Sequence, residues 1–242
     1  MISVEQLQSQ WAKLGYRFAC KAYDDAVDPE LLIINTLTVG RNEPSLIWAL
    51  LTWLTEYSDL VNIHRLFRIV EKHQEPILGA ISDIALSEGA DKKLRYVVKK
   101  CQPSKIPFVL FFIMEETKIT TEFEKQNSMP LFKKWGIYSS TITMKIDALR
   151  QRSYILRNNT NLAIRAVFGA NTRSEVLFSL TQLSRAYVSQ LVKYIGLSYQ
   201  PVYAETEQLI LNGLLVYEKI GTMKLVSLSP RTAEFIRLLP VG

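Results

Sequence analysis

The sequence predicts a mainly α-helical chain: an N-terminal antiparallel helical domain, then tandem helix-turn-helix units, the last followed by a small β-hairpin. Three observations carry this. Apolar residues recur at three- and four-residue steps through the first hundred positions. Two helical patterns separated by a glycine occupy the region from Thr172 to Gly213. Apolar runs flank Gly221-Thr222, which is a hairpin signal.

The N-terminal elements follow in order. Val4, Leu7, Trp11, Leu14 and Phe18 form one apolar stripe, with Ser3 placed to cap it. The segment from Asp28 to Gly40 reads two ways, because Pro29 could open a helix while Ile33 to Val39 suits extended chain. A helix apolar nearly all round starts near Pro44. Another places Ile63, Leu66, Phe67 and Val70 on one face, and two more patterns follow before Cys101. Short breaks rich in Pro, Gly, Asp and Glu imply antiparallel neighbours, so residues 1–101 are expected to form a helical domain for dimerisation or partner binding.

Bulk composition narrows the function classes. The chain has 242 residues, 48% hydrophobic and 21% charged, with formal net charge +6. That is a globular composition rather than a disordered one. Residues 1–90 hold 7 Lys/Arg against 12 Asp/Glu, whereas residues 131–173 hold 8 against 1. One part is built to avoid polyanions and another to meet them. Cys20 and Cys101 are far apart and read as reduced thiols of a cytoplasmic protein. No signal peptide is expected, since no basic stretch precedes an apolar one at the N-terminus. Ser45–Leu54 and Ile106–Met114 fall short of the ~20 residues of a membrane span and read as buried core.

Pro103 and Pro107 mark residues 102–107 as the expected linker. Beyond it, Val176, Leu177 and Leu180 share a helix face, with Thr172 and Glu175 at capping-box spacing. A short helix brings Leu191, Val192 and Ile195 inward and ends at Gly196. Ser198 is placed to cap the next helix, Pro201 lies in its first turn, and Val202, Thr206 and Leu209 face the core before Gly213 closes it. Residues 171–242 thus read as helix, short helix, turn, helix, hairpin.

This stretch resembles the winged helix-turn-helix transcriptional regulators, notably the arsenic-repressor and multiple-antibiotic-resistance groups. Leu191, Ile195-Gly196-Leu197-Ser198, Val202, Leu209 and Gly213-Leu214-Leu215 carry the resemblance, over about the last 70 residues. It implies a winged helix that reads duplex DNA, in a homodimer. The chain departs from the pattern on the reading helix, where Ala204, Glu205 and Glu207 stand at positions often basic or amide-bearing.

Shifted back by sixty residues, Gly136 falls under Gly196, Ile142 under Val202 and Leu149 under Leu209. Residues 107–170 are therefore expected to hold a second, diverged and basic helix-turn-helix. Its candidate DNA contacts are Lys133, Lys134, Ser139, Ser140, Thr141, Thr143, Lys145, Arg150, Arg152 and Arg157, joined by Arg173. Hydroxyls suit phosphate oxygens, and Lys and Arg supply counterion release. The downstream copy offers Ser198, Tyr199, Gln200 and Tyr203, with Lys219, Thr222 and Lys224 on the hairpin. Tyr199 and Tyr203 are four apart and share an outward face.

Catalytic constellations are missing from the sequence. His64 and His73 are nine apart, and no phosphate-cradling glycine loop or nucleophile motif occurs. No enzyme activity, cofactor, metal or membrane is expected. The expected function is a DNA-binding transcription regulator, with double-stranded DNA as ligand and the N-terminal domain free for a protein partner. The competing expectation is an adaptor that uses the same scaffold for protein contact, with RNA binding through the basic segment as a third.

Overall fold

The computed structural model describes residues 2–112 and 117–239. It is mainly helical and divides into two compact units, Met1–Gln151 and Arg152–Gly242.

The first unit opens with α1 (Val4–Lys13), where the Ser3 hydroxyl accepts the Gln6 N–H at 3.2 Å. Leu7, Trp11 and Leu14 are fully buried. The helix stops before Gly15, at φ +93°, so Phe18 does not continue the stripe. The ambiguous segment is α2 (Pro29–Val39). The Asp28 carboxylate accepts the Leu31 N–H at 3.1 Å and Pro29 fills the first turn, which starts a helix despite the β-branched run. Leu32, Ile33 and Leu37 are then buried where α2 packs on α1, on α3 (Pro44–Tyr57) and on α4 (Ile63–Ile69). The unit continues with α5 (Glu75–Ser87) against α3, and α6 (Leu94–Lys100) against α4 and α5.

One charged cluster is buried in this core. Glu30 is fully buried and accepts the Asn62 N–H and Arg65 Nη1, each at 2.8 Å; Arg65 also pairs with Asp28. A carboxylate so placed is tolerable only because its oxygens are occupied.

Residues 102–107 are not a domain boundary. They lead into β1 (Phe108–Val109), which pairs in parallel with β2 (Ile137–Tyr138) inside the first unit. In the apolar run, Ile106 is 82% exposed while Val109, Leu110 and Phe111 are buried; Ile113 and Met114 lie outside the described residues. Between the strands the described residues form α7 (Lys118–Asn127) and α8 (Pro130–Lys134). Gly79 of α5 lets Trp135 approach: a Cβ there would stand 2.2 Å from the indole ring.

Among the described residues the expected upstream helix-turn-helix is absent. Gly136 does turn in left-handed backbone, at φ +67°, but residues 139–151 form an extended strap with one 3-10 turn, Ile146–Ala148. The run Ser139-Ser140-Thr141-Ile142-Thr143 lacks good helix formers, and its polar groups find partners sideways instead. Ser139 N–H donates to Ser128 Oγ at 3.0 Å, and Ser140 Oγ donates to Glu124 at 2.8 Å. Lys145 N–H donates to Thr52 Oγ1 at 3.1 Å, and the Tyr57 hydroxyl to the Arg150 carbonyl at 2.8 Å. Arg150 N–H reaches the Gly15 carbonyl at 2.8 Å, beside a bridge between Tyr16 and Leu149. The strap therefore belongs to the first unit.

The second unit runs α9 (Arg152–Asn158), α10 (Thr160–Phe168), α11 (Thr172–Leu183), β3 (Arg185–Tyr187), α12 (Val188–Ile195), α13 (Tyr199–Leu211), β4 (Leu215–Ile220), β5 (Met223–Leu228) and α14 (Pro230–Leu238). The three strands are antiparallel, in the order β3-β5-β4. Asn171, not Thr172, caps α11: its side chain accepts from Arg173 and Ser174, and Ser174 Oγ accepts the Asn171 N–H in return. Glu175 is turned inward instead, 2.6 Å from the fully buried Arg165.

Leu177, Leu180, Leu191, Ile195, Val202, Leu209 and Val226 form the core, each burial contributing about 1.5–3 kcal/mol. Gly196 adopts φ +76° and ends α12 with its N–H on the Val192 carbonyl at 3.0 Å. This is a helix-turn-helix with a two-stranded wing, as the sequence predicts for the C-terminal end.

Candidate nucleic-acid interface

The candidate contacts fall into two groups. Those assigned to the upstream copy are dispersed. Lys133 and Lys134 lie on α8, where Lys134 is 2.6 Å from Asp83, which also accepts Trp135 Nε1–H at 3.2 Å. Ser139 is buried, with its hydroxyl donated to the Thr141 carbonyl at 3.0 Å, and Ser140 is engaged with Glu124. Thr141 and Thr143 are exposed on the strap. Lys145 extends over the Trp48 ring, 4.9 Å from its centroid. Arg150 ends the strap in the first unit, whereas Arg152 and Arg157 belong to α9 in the second, Arg157 Nε donating to the Ser153 carbonyl at 3.3 Å. No reading helix gathers these residues, because the segment that would have carried them is extended.

The downstream group is brought together. α13 begins after Ser198, whose side chain makes no cap hydrogen bond, and presents Tyr199, Gln200, Tyr203 and Ala204 to solvent. Residues three and four apart share a helix face, and the Tyr199 and Tyr203 rings stack at 5.7 Å with an interplanar angle of 12°. The wing faces this end of the helix. A cleft of about 290 Å³ lies between them, with Tyr187, Tyr199, Tyr203, Glu207, Thr222, Met223 and Lys224 in its lining. Lys219 pairs across the hairpin with Lys224, next to the Gly221-Thr222 turn, and is exposed.

Charge on this face differs from a plain count of its cations. Arg173 Nε of α11 donates to Glu205 at 2.6 Å. Lys224 Nζ of β5 donates to both oxygens of Glu207, at 2.8 and 2.6 Å, and lies 4.9 Å from the Tyr217 ring centroid. The hydrogen bond that Lys224 donates to Glu207 holds its ammonium above its ordinary pKa. Glu205 and Glu207 are two residues apart, so they leave α13 on opposite flanks, one toward α11 and one toward the wing.

Sequence reasoning singled out the two glutamates as departures but missed their partners, which come from elements 32 and 17 residues away. It also missed the exposed apolar residues of the hairpin: Val216, Tyr217, Ile220 and Met223 are each more than two-fifths exposed. Alternation along the strands could not have found them, because Val216 and Tyr217 are adjacent and both exposed, and in β4 only Leu215 is buried. Lys193, exposed in the last turn of α12, was missed as well.

Among the described residues, no group of His, Cys, Asp and Glu side chains is placed to hold a metal ion. Cys101 is buried, and burial together with the Glu75 charge pushes its thiol up to about 12. Cys20 is exposed. No described helix is long and apolar enough to cross a membrane. No protein-family model, curated protein or solved structure matches the chain.

Proposed function

We propose that the second unit reads duplex DNA through α13 and the wing, and that the chain acts as a transcription regulator. The observation that carries this reading is the arrangement of the exposed end of α13: Tyr199, Gln200 and Tyr203 project from a reading helix flanked by a wing, in a unit with 10 Lys/Arg against 5 Asp/Glu. Gln suits the edge of adenine in the major groove, and tyrosine rings supply apolar and stacking contact. A helix-turn-helix of this kind reads half-sites as a dimer, so a homodimer on a palindromic operator is part of the proposal. The first unit is then the partner-binding or dimerising part.

The affinity expected here is modest at physiological salt, since the reading helix carries no Lys or Arg and two cations beside it, Arg173 and Lys224, are paired. The test is selection of the whole protein on a random duplex library, followed by binding of the enriched sequence across a salt series. Tyr199→Ala/Tyr203→Ala is expected to abolish enrichment, while Lys145→Ala/Arg150→Ala preserves it. Enrichment that survives loss of the tyrosines, or no enrichment at all, overturns the reading.

Protein contact is the second reading, favoured by the exposed Val216, Tyr217, Ile220 and Met223 on the hairpin. Loss of all duplex binding, with the fold intact by circular dichroism, would leave this reading in place of the first.

A further inference from the structure

The two glutamates of α13 stand where a polyanion-binding helix would carry cations. Each holds one cation from a neighbouring element: Glu205 holds Arg173, and Glu207 holds Lys224 through both carboxylate oxygens. All four side chains remain between 22% and 43% exposed, so the pairs lie on the solvent side of the unit and not in its core. Both pairs are short charge-assisted bonds to cations that flank the reading helix, the kind of bond that a phosphate oxygen also accepts. A cation already matched by an internal carboxylate adds nothing to the net charge that a DNA backbone meets, and so releases no counterion.

We infer that Glu205 and Glu207 are specificity-determining residues, internal phosphate mimics that suppress contact with the backbone of arbitrary duplex DNA. This rests on the DNA-reading proposal above and deepens it. Backbone contacts carry no sequence information and supply essentially all of non-specific binding. Neutralising the flanks lowers that background and leaves discrimination to the uncharged residues Gln200, Tyr199 and Tyr203. The two opposite flanks matter together, because a duplex laid against α13 has a sugar-phosphate strand on each side of the groove that holds the helix.

Removing the two negative charges should free both cations for phosphate. The experiment compares the wild type with Glu205→Gln, Glu207→Gln and the double variant on a random duplex and on the enriched sequence, from 50 to 200 mM salt. Gln keeps the shape of the side chain, and circular dichroism checks the fold. Each freed cation is expected to steepen the log–log salt slope by about 0.9, so the double variant gains about 1.8 and its random-duplex affinity falls about twelvefold more over that salt range. The preference for the enriched sequence over the random one is expected to shrink in the same order. Wild-type binding with an unchanged slope in the double variant overturns this inference and leaves the DNA reading standing. No duplex binding by any of the four proteins overturns the DNA reading and this inference with it.

Discussion

Gly136 and Gly196 make the same local turn in two different settings. Both end short helices, and both adopt left-handed backbone, at φ +67° and +76°. After Gly196 the chain enters a 13-residue helix; after Gly136 it enters a two-residue strand and then an extended strap. Aligned apolar positions do not separate the two, since Ile142 and Leu149 match Val202 and Leu209. What separates them is the residues between. Downstream, Ala204, Glu205, Gln208 and Leu211 favour helix; upstream, Ser, Thr and Ile dominate, Ser139 and Ser140 bond to Ser128 and Glu124, and the Lys145 N–H bonds to Thr52. A turn specifies that the chain reverses, and the composition after it decides what the chain becomes.

Substitutions at matched positions can break or sharpen this comparison. The four tryptophans, Trp11, Trp48, Trp53 and Trp135, all lie in the first unit, so tryptophan fluorescence reports that unit while far-ultraviolet circular dichroism reports both. The largest effect is expected at Leu209→Ala, about 2–5 kcal/mol from the second unit in urea unfolding, because that side chain is 1% exposed in the core. Leu149→Ala, only partly buried on the strap, is expected to cost about 1 kcal/mol from the first unit. Equal losses would mean that the two positions have the same surroundings after all.

The glycines come next. A Cβ on Gly136 would lie 2.5 Å from the Ser104 carbonyl oxygen, whereas one on Gly196 would meet nothing within 4 Å. Both alanines carry left-handed strain, but only the first also forces a backbone shift. Gly136→Ala should cost about 3 kcal/mol against about 1 for Gly196→Ala, read as separate shifts of the two transitions. A larger loss at Gly196 would reverse the reading of which turn is crowded.

The smallest contrast is between serines. Ser140→Ala removes a hydrogen bond to the Glu124 carboxylate and should cost about 1–2 kcal/mol, seen as a lower urea midpoint by fluorescence. Ser198→Ala removes no side-chain cap bond and should stay within about 0.5 kcal/mol by circular dichroism. A larger loss at Ser198 would show that its hydroxyl caps α13 in solution.

The same contrast explains what was legible. Ser3 as a cap, the start of α3 at Pro44, the Gly196 turn, the core positions Val202 and Leu209, and the hairpin around Gly221-Thr222 all rest on local rules that hold within a few residues. The helix α2 was readable only once Asp28 was seen to cap it, since its β-branched run suits a strand equally well. The strap was not legible, because its stability comes from residues such as Thr52, Tyr57 and Gly15, about a hundred positions away. Asn171 and Thr172 are adjacent and both able to cap, so the sequence alone does not choose between them. The candidate interface was half legible: Tyr199, Tyr203, Thr222 and Lys224 do converge on one cleft, but the pairing of Arg173 and Lys224 with α13 depends on tertiary contacts.

The bond from Arg150 to Gly15 also sets a schedule for the growing chain. It joins residues about 135 positions apart, at the two ends of the first unit. On a ribosome, α1 must wait through the synthesis of the helices α2 to α8 before the strap that closes over it exists. Loop closure on that scale slows folding and leaves the open end of the helical layer uncovered meanwhile. The second unit closes over much shorter distances, with the turns of its helix-turn-helix and hairpin formed between neighbours in sequence. The part made first is therefore expected to finish late, and the part made last to finish soon after it emerges.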